Sequence, residues 1–429
     1  MKILAFLLLL FTSVLPVFAQ KQSTSYLIKA GKFYDAEKNQ FLTDQEILIS
    51  GSTIQAVGTR LKTPKNTQIL DARNATVVPG LIDAHTHLLF KQKQTDGMEV
   101  GSKIPAAERL EEGQQFAEEL LQVGFTTLRD LGNSGPYLDL QLQNNLQQAK
   151  TPAPRLYVSG PIISPPGGQF SKLAPADTFV IKQEYRVIKG SEQAKQAVQE
   201  HAAKGVNVIK VCMDCEGRYL NAAEIKAIVE TAREKKLPVT AHAGSDKGAR
   251  LAVLAGVNGI EHGYSLSDST LSIMAQRKVY LVPTDVSREK AMLMVTGMGM
   301  KGKEAEDNAN SFLNATHDRL KRARQKGVII VAGSDFYNDM PTVTRGDGSR
   351  DVIIAYYEAG LSSANVLQTA TINAATVMGI HNLVGTIKKG MKADIAIFNG
   401  DLEKAFPQSI VDLKMVLKDG QVISTKKAR

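Results

Sequence analysis

Four of the seven histidines stand where they could serve one metal centre. His85 and His87 are one residue apart in Asp83-Ala84-His85-Thr86-His87. On an extended segment alternate side chains point the same way, so both imidazoles can reach a single ion. His242 and His262 each end a short apolar run, and Asp335 closes Ala332-Gly333-Ser334-Asp335. Neutral imidazole suits zinc and similar metals, and a carboxylate such as Asp335 completes a catalytic site that keeps one position open. Taken singly these signals carry little. A histidine at a strand end is more often a hydrogen-bonded core residue than a ligand, H-x-H recurs by chance, and Gly-Ser-Asp is a common turn. His201, His317 and His381 fall in helical or loop contexts and read as structural or surface residues.

Their weight comes from the elements that must position them. Eight short apolar or β-branched runs occur at 76–78, 126–128, 156–158, 208–211, 239–241, 259–261, 279–282 and 328–331. Helix-period segments lie between them, among them 192–203, 222–235 and 317–325. This alternation predicts an α/β fold with a parallel sheet, and eight strands fit a (β/α)8 TIM-type barrel. A doubly wound open sheet is the alternative, but no G-x-G-x-x-G follows an early strand. In a barrel the strand ends share one rim. His85 and His87 follow the first strand, Arg129 and Asp130 the second, and Lys210 lies on the fourth. His242 ends the fifth, His262 ends the sixth, and Asp335 follows the eighth.

Both chain ends read differently. Tyr26-Leu27-Ile28, Glu46-Ile47-Leu48-Ile49 and Thr53-Ile54-Gln55-Ala56-Val57 are short strands, with a turn at Ser50-Gly51-Ser52. Residues 394–398, 414–418 and 421–424 repeat that character around the hairpin pair Asp419-Gly420. The expected organisation is a signal peptide at 1–19, a β domain at 20–75, the barrel at 76–383 and the rest of the β domain at 384–429. The two β parts are expected to form one small β-sandwich. Residues 287–314 form a long connection suited to a rim loop or lid, or to a helical insertion.

Composition sets outer bounds. With 429 residues, 43% hydrophobic and 22% charged, the chain is globular, with room for a large barrel and a small partner domain. The net charge of +9 is scattered, and there is no Trp to stack on bases, so nucleic-acid binding is not expected. Lys2, the apolar run 3–11 and Val17-Phe18-Ala19 form a secretory signal pattern with cleavage before Gln20. The run is too short to span a bilayer. The mature protein is therefore expected in the periplasm or outside the cell, free of the membrane, and able to form oligomers. Cys212 and Cys215 are the only cysteines; a local disulfide is preferred over redox chemistry or an incomplete zinc site.

One stretch resembles a known family. Val77-Val78-Pro79-Gly80-Leu81-Ile82-Asp83-Ala84-His85-Thr86-His87 is similar to the metal-binding start of the amidohydrolase superfamily. The resemblance continues through Val208-Ile209-Lys210-Val211, Thr240-Ala241-His242-Ala243, Ile260-Glu261-His262-Gly263 and Ala332-Gly333-Ser334-Asp335. It then runs through Ala370-Thr371-Ile372-Asn373-Ala374-Ala375 to Gly390-Met391-Lys392-Ala393-Asp394, so it covers nearly all of the mature chain. Within the superfamily it looks most like the imidazolonepropionase-related branch that includes two-metal Xaa-Pro and Xaa-Arg/Lys dipeptidases.

The resemblance implies two divalent metal ions, zinc first among the candidates. His85, His87 and Asp335 would hold one, His242 and His262 the other, and Lys210 would bridge them as a carbamate formed with CO₂. A lysine ammonium has no lone pair, so Lys210 must first be a neutral amine, which burial favours. The implied activity is hydrolysis of C–N bonds in dipeptides or N-acyl amino acids by a hydroxide between the metals, with Asp335 as proton shuttle. The same ligands would serve a lactone, a carbamate or an organophosphate ester. A one-metal deaminase leaves Lys210 without a role, and a binding protein that had lost turnover should lack a ligand, whereas none is missing. For the substrate carboxylate the candidates are Arg186, in Glu184-Tyr185-Arg186, and Tyr219, in Arg218-Tyr219; a surface salt bridge is the competing reading of Arg186. The turn Cys212-Met213-Asp214-Cys215-Glu216-Gly217 departs from the Gly-rich turn usual in this branch.

Overall fold

The computed structural model describes residues 24–423 except 94, 171, 172 and 341; the expected signal peptide lies outside the described residues. Four strands open the chain. β1 (Ser25–Asp35) pairs antiparallel with β2 (Gln40–Ser50), and β2 turns through Gly51 into β3 (Thr53–Gly58). β4 (Gln68–Pro79) lies parallel to β1 on its other side.

β4 corrects one expectation. Thr76-Val77-Val78 was assigned to the first barrel strand, yet these residues pair within the end sheet. The switch between sheets happens at Gly80. Its N–H donates to Asp394 O at 2.8 Å, while the N–H of Leu81 donates to Gly124 O at 2.9 Å. A Cβ on Gly80 would lie 2.2 Å from Thr126 Oγ1, so only glycine permits this close crossing.

The parallel strands then follow. β5 (Leu81–Thr86), β6 (Phe125–Asp130) and β7 (Arg155–Val158) form a three-stranded sheet. β8 (Ile162–Ser164), β9 (Tyr185–Val187) and β10 (Ile209–Cys212) come next, and β11 (Asp214–Cys215) with β12 (Arg218–Tyr219) makes a minute hairpin. β13 (Val239–Ala243), β14 (Gly259–His262) and β15 (Tyr280–Val282) complete a six-stranded parallel sheet in the order β15-β14-β13-β10-β8-β9. The eighth apolar run is tied to both sheets by hydrogen bonds rather than by a strand of its own. Ile330 bridges Leu281 in parallel, and the Ala84 N–H donates to Ala332 O at 2.9 Å.

These strands are buried on both faces, as helix-covered parallel strands must be, and mostly apolar. Leu81, Leu128, Val158, Ile209, Ala241, Ile260 and Leu281 share one buried cluster. Each large aliphatic side chain buried this way contributes about 1.5–3 kcal/mol. The expected helices form at Ser191–Lys204 and Ala222–Glu234, the latter opened by a capping box of Asn221 and Glu224. Residues 287–314 are a helical insertion: a helix at Arg288–Gly297, then the first part of the 24-residue helix Gly302–Gln325. Among the described residues no helix is long and apolar enough to cross a membrane.

β16 (Ile395–Asn399), β17 (Leu413–Lys418) and β18 (Gln421–Ile423) return to the opening strands, β16 lying antiparallel to β4. The two chain ends therefore meet. They do so in one seven-stranded sheet, ordered β18-β17-β16-β4-β1-β2-β3, at the place expected for a small β-sandwich. The sheet curls until its hairpin turns touch: a Cβ on Gly420 would lie 1.9 Å from Gly51 O. Ile28, Ile47, Ile54, Val77, Ile395 and Leu417 share the core that this curl encloses. Arg155 on β7 pairs with Asp394 and Asp419, tying the end sheet to the parallel strands.

Candidate metal centre

His85, His87, Lys210, His242, His262 and Asp335 all border one cavity of 180 Å³. β5 is buried along its whole length, and His85 and His87 leave its end on either side of Thr86. Asp83 fastens that end to the Asp335 segment. Its Oδ1 accepts from the N–H groups of His85 (3.0 Å) and Ser334 (3.1 Å), and its Oδ2 accepts from Ser349 Oγ (2.6 Å). The Asp335 N–H in turn donates to His85 O at 2.8 Å. The carboxylate thereby reaches the ring of His87 (Nε2–Oδ1 3.0 Å) and stands 3.5 Å from His85 Nε2 and 3.7 Å from His262 Nδ1. Donor atoms of His85, His262 and Asp335 all lie within 4.8 Å of one another.

Neighbours settle which ring nitrogen is free. His85 Nδ1 faces Glu261 Oε2 at 2.7 Å, and His87 Nδ1 faces Gly132 O at 2.6 Å. Both partners accept only, so each Nδ1 carries a hydrogen. His85 Nε2 then keeps its lone pair for a metal, whereas His87 Nε2, 3.0 Å from the Asp335 carboxylate, must give up the proton it shares there before it can ligate one. Glu261 is itself pinned by Arg129 (Nη2–Oε1 3.0 Å) and by the Thr240 hydroxyl. Arg129 also donates to Ala84 O at 2.6 Å and to the Tyr280 hydroxyl at 2.9 Å. Burial works against the Glu261 carboxylate, but His85 and Arg129 outweigh it and hold the group at about 2.

Burial, reinforced by the Lys210 charge, lowers His85 to about 4 and His242 to about 3. His262 is also driven well below its usual range by burial, then by His242. These imidazoles are therefore neutral at neutral pH, as metal ligands must be. His87 is the exception; burial opposes its proton, but hydrogen bonding to Asp335 prevails and raises it. For Asp335 burial opposes the charge, while His85, the His87 hydrogen bond and His262 overcome it and hold the carboxyl well below the usual range. Lys210 is lowered to about 8, chiefly by burial. Its Nζ lies 3.4 Å from His85 Nε2 and forms no ion pair among the described residues. Glu261, Asp335 and Asp130 favour its charge from a distance, but burial prevails and moves it toward the neutral amine. The donor set thus fits a divalent metal, with His85, His262 and Asp335 nearest one another.

Residues 76–425 match the amidohydrolase family. The chain belongs to it. An imidazolonepropionase of Alkaliphilus metalliredigens is 24% identical, over 91% of this chain and 93% of that protein. A prolidase crystallised with N-methylphosphonate-L-proline superposes with a TM-score of 0.79 at 25% identity, covering 94% of this chain and all of the other (100%). A Xaa-Pro dipeptidase with methionine in its active site gives 0.78 at 23% identity, over 93% and 100% of the two chains. These neighbours imply a TIM-barrel fold, and the protein is a hydrolase acting on C–N bonds.

The amidohydrolase places the two expected substrate residues away from the cavity. Arg186, on β9, donates to both carboxylate oxygens of Glu200 at 2.6 and 2.9 Å and to Val187 O at 2.9 Å, which is the surface salt bridge. Tyr219, on β12, lies beneath Lys247, whose Nζ is 4.6 Å from the ring centre. Neither borders the cavity. Arg218 instead donates to Gly168 O (2.8 Å) and Phe170 O (2.9 Å), bracing the turn that carries Gln169. Gln169 does line the cavity, with its Nε2 3.4 Å from both ring nitrogens of His242, as do Asn133, Tyr264 and Tyr337. Sequence reasoning missed these four and the support given by Glu261. A clear signal existed only for Glu261, an acid within the short buried strand that ends in His262. Cys212 and Cys215, just beyond Lys210, are bonded to each other. A larger cavity of 660 Å³, bordered by Arg233, Lys236 and Leu237, has no histidine or carboxylate in its wall and is not where this chemistry resides.

Proposed function

We propose that the protein is an exported dipeptidase-like amidohydrolase that cleaves the C–N bond of dipeptides or N-acyl amino acids with two divalent ions, zinc by preference. One observation carries the reading: four histidines, one carboxylate and an unpaired buried lysine converge on a single small cavity. Similarity to the prolidase that binds an N-phosphonyl proline supports an amide substrate with an amino-acid leaving group. Lys210, as a carbamate, would bridge the ions; His85, His87 and Asp335 would hold one, His242 and His262 the other. When bound, the ions would acidify a water to make the nucleophile and polarise the scissile carbonyl.

The chain's own residues do the rest. Asp335 orients the water through one oxygen, takes its proton, and returns it to the departing amine, so that amide and water become acid and amine. Glu261 and Gly132 hold a hydrogen on Nδ1 of His85 and His87, so that Nε2 is the atom each ring offers a metal. Asn133, Gln169, Tyr264 and Tyr337 supply neutral polar contacts in a space of 180 Å³, suited to a small substrate rather than a folded chain. Residues 1–19 and the bond between Cys212 and Cys215 support export to an oxidising compartment.

A dipeptide library incubated with zinc-reconstituted protein, read by amine release, tests the assignment. Turnover of dipeptides, with C-terminal Pro, Arg or Lys as the informative classes, is expected. Turnover of lactones, carbamates or phosphate esters alone would overturn it in favour of the ester reading.

A further inference from the structure

Two adjoining residues beyond β15 adopt or enforce backbone geometry that the fold alone does not require. Thr284 is buried and has φ +54°, and His262, which ends β14, has φ +71°. The left-handed region is uncommon for any residue but glycine and is a genuine outlier for a β-branched one. Both distortions serve a single contact: Thr284 Oγ1 lies 2.8 Å from His262 Nδ1. A second tie holds the backbone. Arg319, from the helix Gly302–Gln325, is fully buried; one guanidinium nitrogen donates to His262 O and another pairs with Asp285, the residue after Thr284. Tyr264 stacks on the His262 ring at 5.5 Å and 27°, its hydroxyl 3.4 Å from both Nδ1 and Thr284 Oγ1.

A hydroxyl can donate or accept, so the distance alone leaves the tautomer open. The surrounding charge decides. The Asp335 carboxylate stands 3.7 Å from His262 on the Nδ1 side, which favours a hydrogen there. We propose that Thr284 is a positioning residue: its hydroxyl accepts the Nδ1–H of His262 and leaves Nε2 as the ligand atom, while Arg319 and Asp285 hold the His262 backbone in place. The ligand role rests on the two-metal reading above; the tautomer does not. The insertion that precedes Arg319 thereby gains a purpose, since its long helix delivers the guanidinium beneath the rim.

Thr284→Val removes only the hydroxyl, because valine is as β-branched as threonine at this φ, and Thr284→Ser keeps it. In metal-free protein labelled with ¹⁵N-histidine, His262 is expected to be the Nδ1–H tautomer in wild type and Thr284→Ser, and a mixture in Thr284→Val. In zinc titrations the second equivalent should bind about 10–100-fold more weakly to Thr284→Val, with the first little changed and Thr284→Ser restoring wild-type affinity. An Nε2–H tautomer in wild type, or wild-type binding of both equivalents by Thr284→Val, would overturn the proposal. A wild-type protein that binds no zinc would sink the metal reading, and the tautomer would then decide the Thr284 assignment alone.

Discussion

The two halves of the centre are held in place by different physics. Around His85 and His87 the supports are a buried ion network, Glu261 with Arg129, and a backbone carbonyl, Gly132 O, at hydrogen-bond distances of 2.7 and 2.6 Å from the rings. Around His242 and His262 the ring contacts are neutral, the Thr284 hydroxyl and a Gln169 amide 3.4 Å from the His242 ring, while the buried Arg319–Asp285 pair holds the His262 backbone rather than a ring. The first half is therefore rigid, electrostatically committed and costly to disturb. In the second no charged group meets a ring at hydrogen-bond distance, and the ring contacts are to a hydroxyl at 2.8 Å and an amide at 3.4 Å. Metal held by the first half should accordingly bind more tightly than metal held by the second.

The sharpest way to break this comparison is at the residue the halves share. Asp335→Asn should lower amine release by on the order of 10³-fold, since it removes a ligand oxygen and the proton acceptor together. A loss of less than about tenfold would mean that another group moves the proton. Glu261→Gln attacks the rigid half alone and leaves Arg129 buried without its counter-charge. Urea unfolding should show about 3–5 kcal/mol lost, whereas a change within about 1 kcal/mol would remove the ion network from the account.

Proton competition comes next in size. His85 titrates at about 4 in place of its usual 6.5, so the folded ring stays neutral through that window while the unfolded chain takes up protons. Stability of the metal-free protein should then fall as pH drops from about 6.5 toward 4. His242 and His262, also lowered, add to this effect, and His87, raised by Asp335, works against it. Urea unfolding of the metal-free protein at about pH 6.5 and about pH 4.5 checks the sum; equal or greater stability at the lower pH would contradict the burial argument. The smallest effect belongs to Arg186→Ala. Its partly exposed pair with Glu200 is worth about 0–1 kcal/mol, and KM for any dipeptide should be unchanged. A rise in KM of tenfold or more would return Arg186 to the substrate site.

The same contrast explains what could be read in the chain before its structure. His85 and His87 obey the period of a strand, and His242, His262 and Asp335 stand at the ends of apolar runs, so local pattern and barrel geometry suffice to bring them together. Thr284, Gln169 and Tyr337 sit on loops whose course depends on distant packing, and no spacing marks them. Arg186 stays open in the sequence between a substrate contact and a surface salt bridge, because its partner Glu200 is brought to it only by the helix Ser191–Lys204. Thr76-Val77-Val78 is apolar enough for either sheet, and only the hydrogen bonds at Gly80 and Leu81 reveal where one sheet ends and the next begins. The curl of the end sheet was equally hidden, since it rests on contact between Gly51 and Gly420 at opposite ends of the chain.

Lys210 lies where the two halves meet, and a single comparison tests whether it joins them. Wild type and Lys210→Ala, each reconstituted with zinc, should be assayed for bound metal and for amine release from the best dipeptide. The bridging account predicts two zinc ions in the wild type, no more than one in Lys210→Ala, and a loss of activity on the order of 10³-fold. Full activity in Lys210→Ala with two zinc ions bound would contradict it.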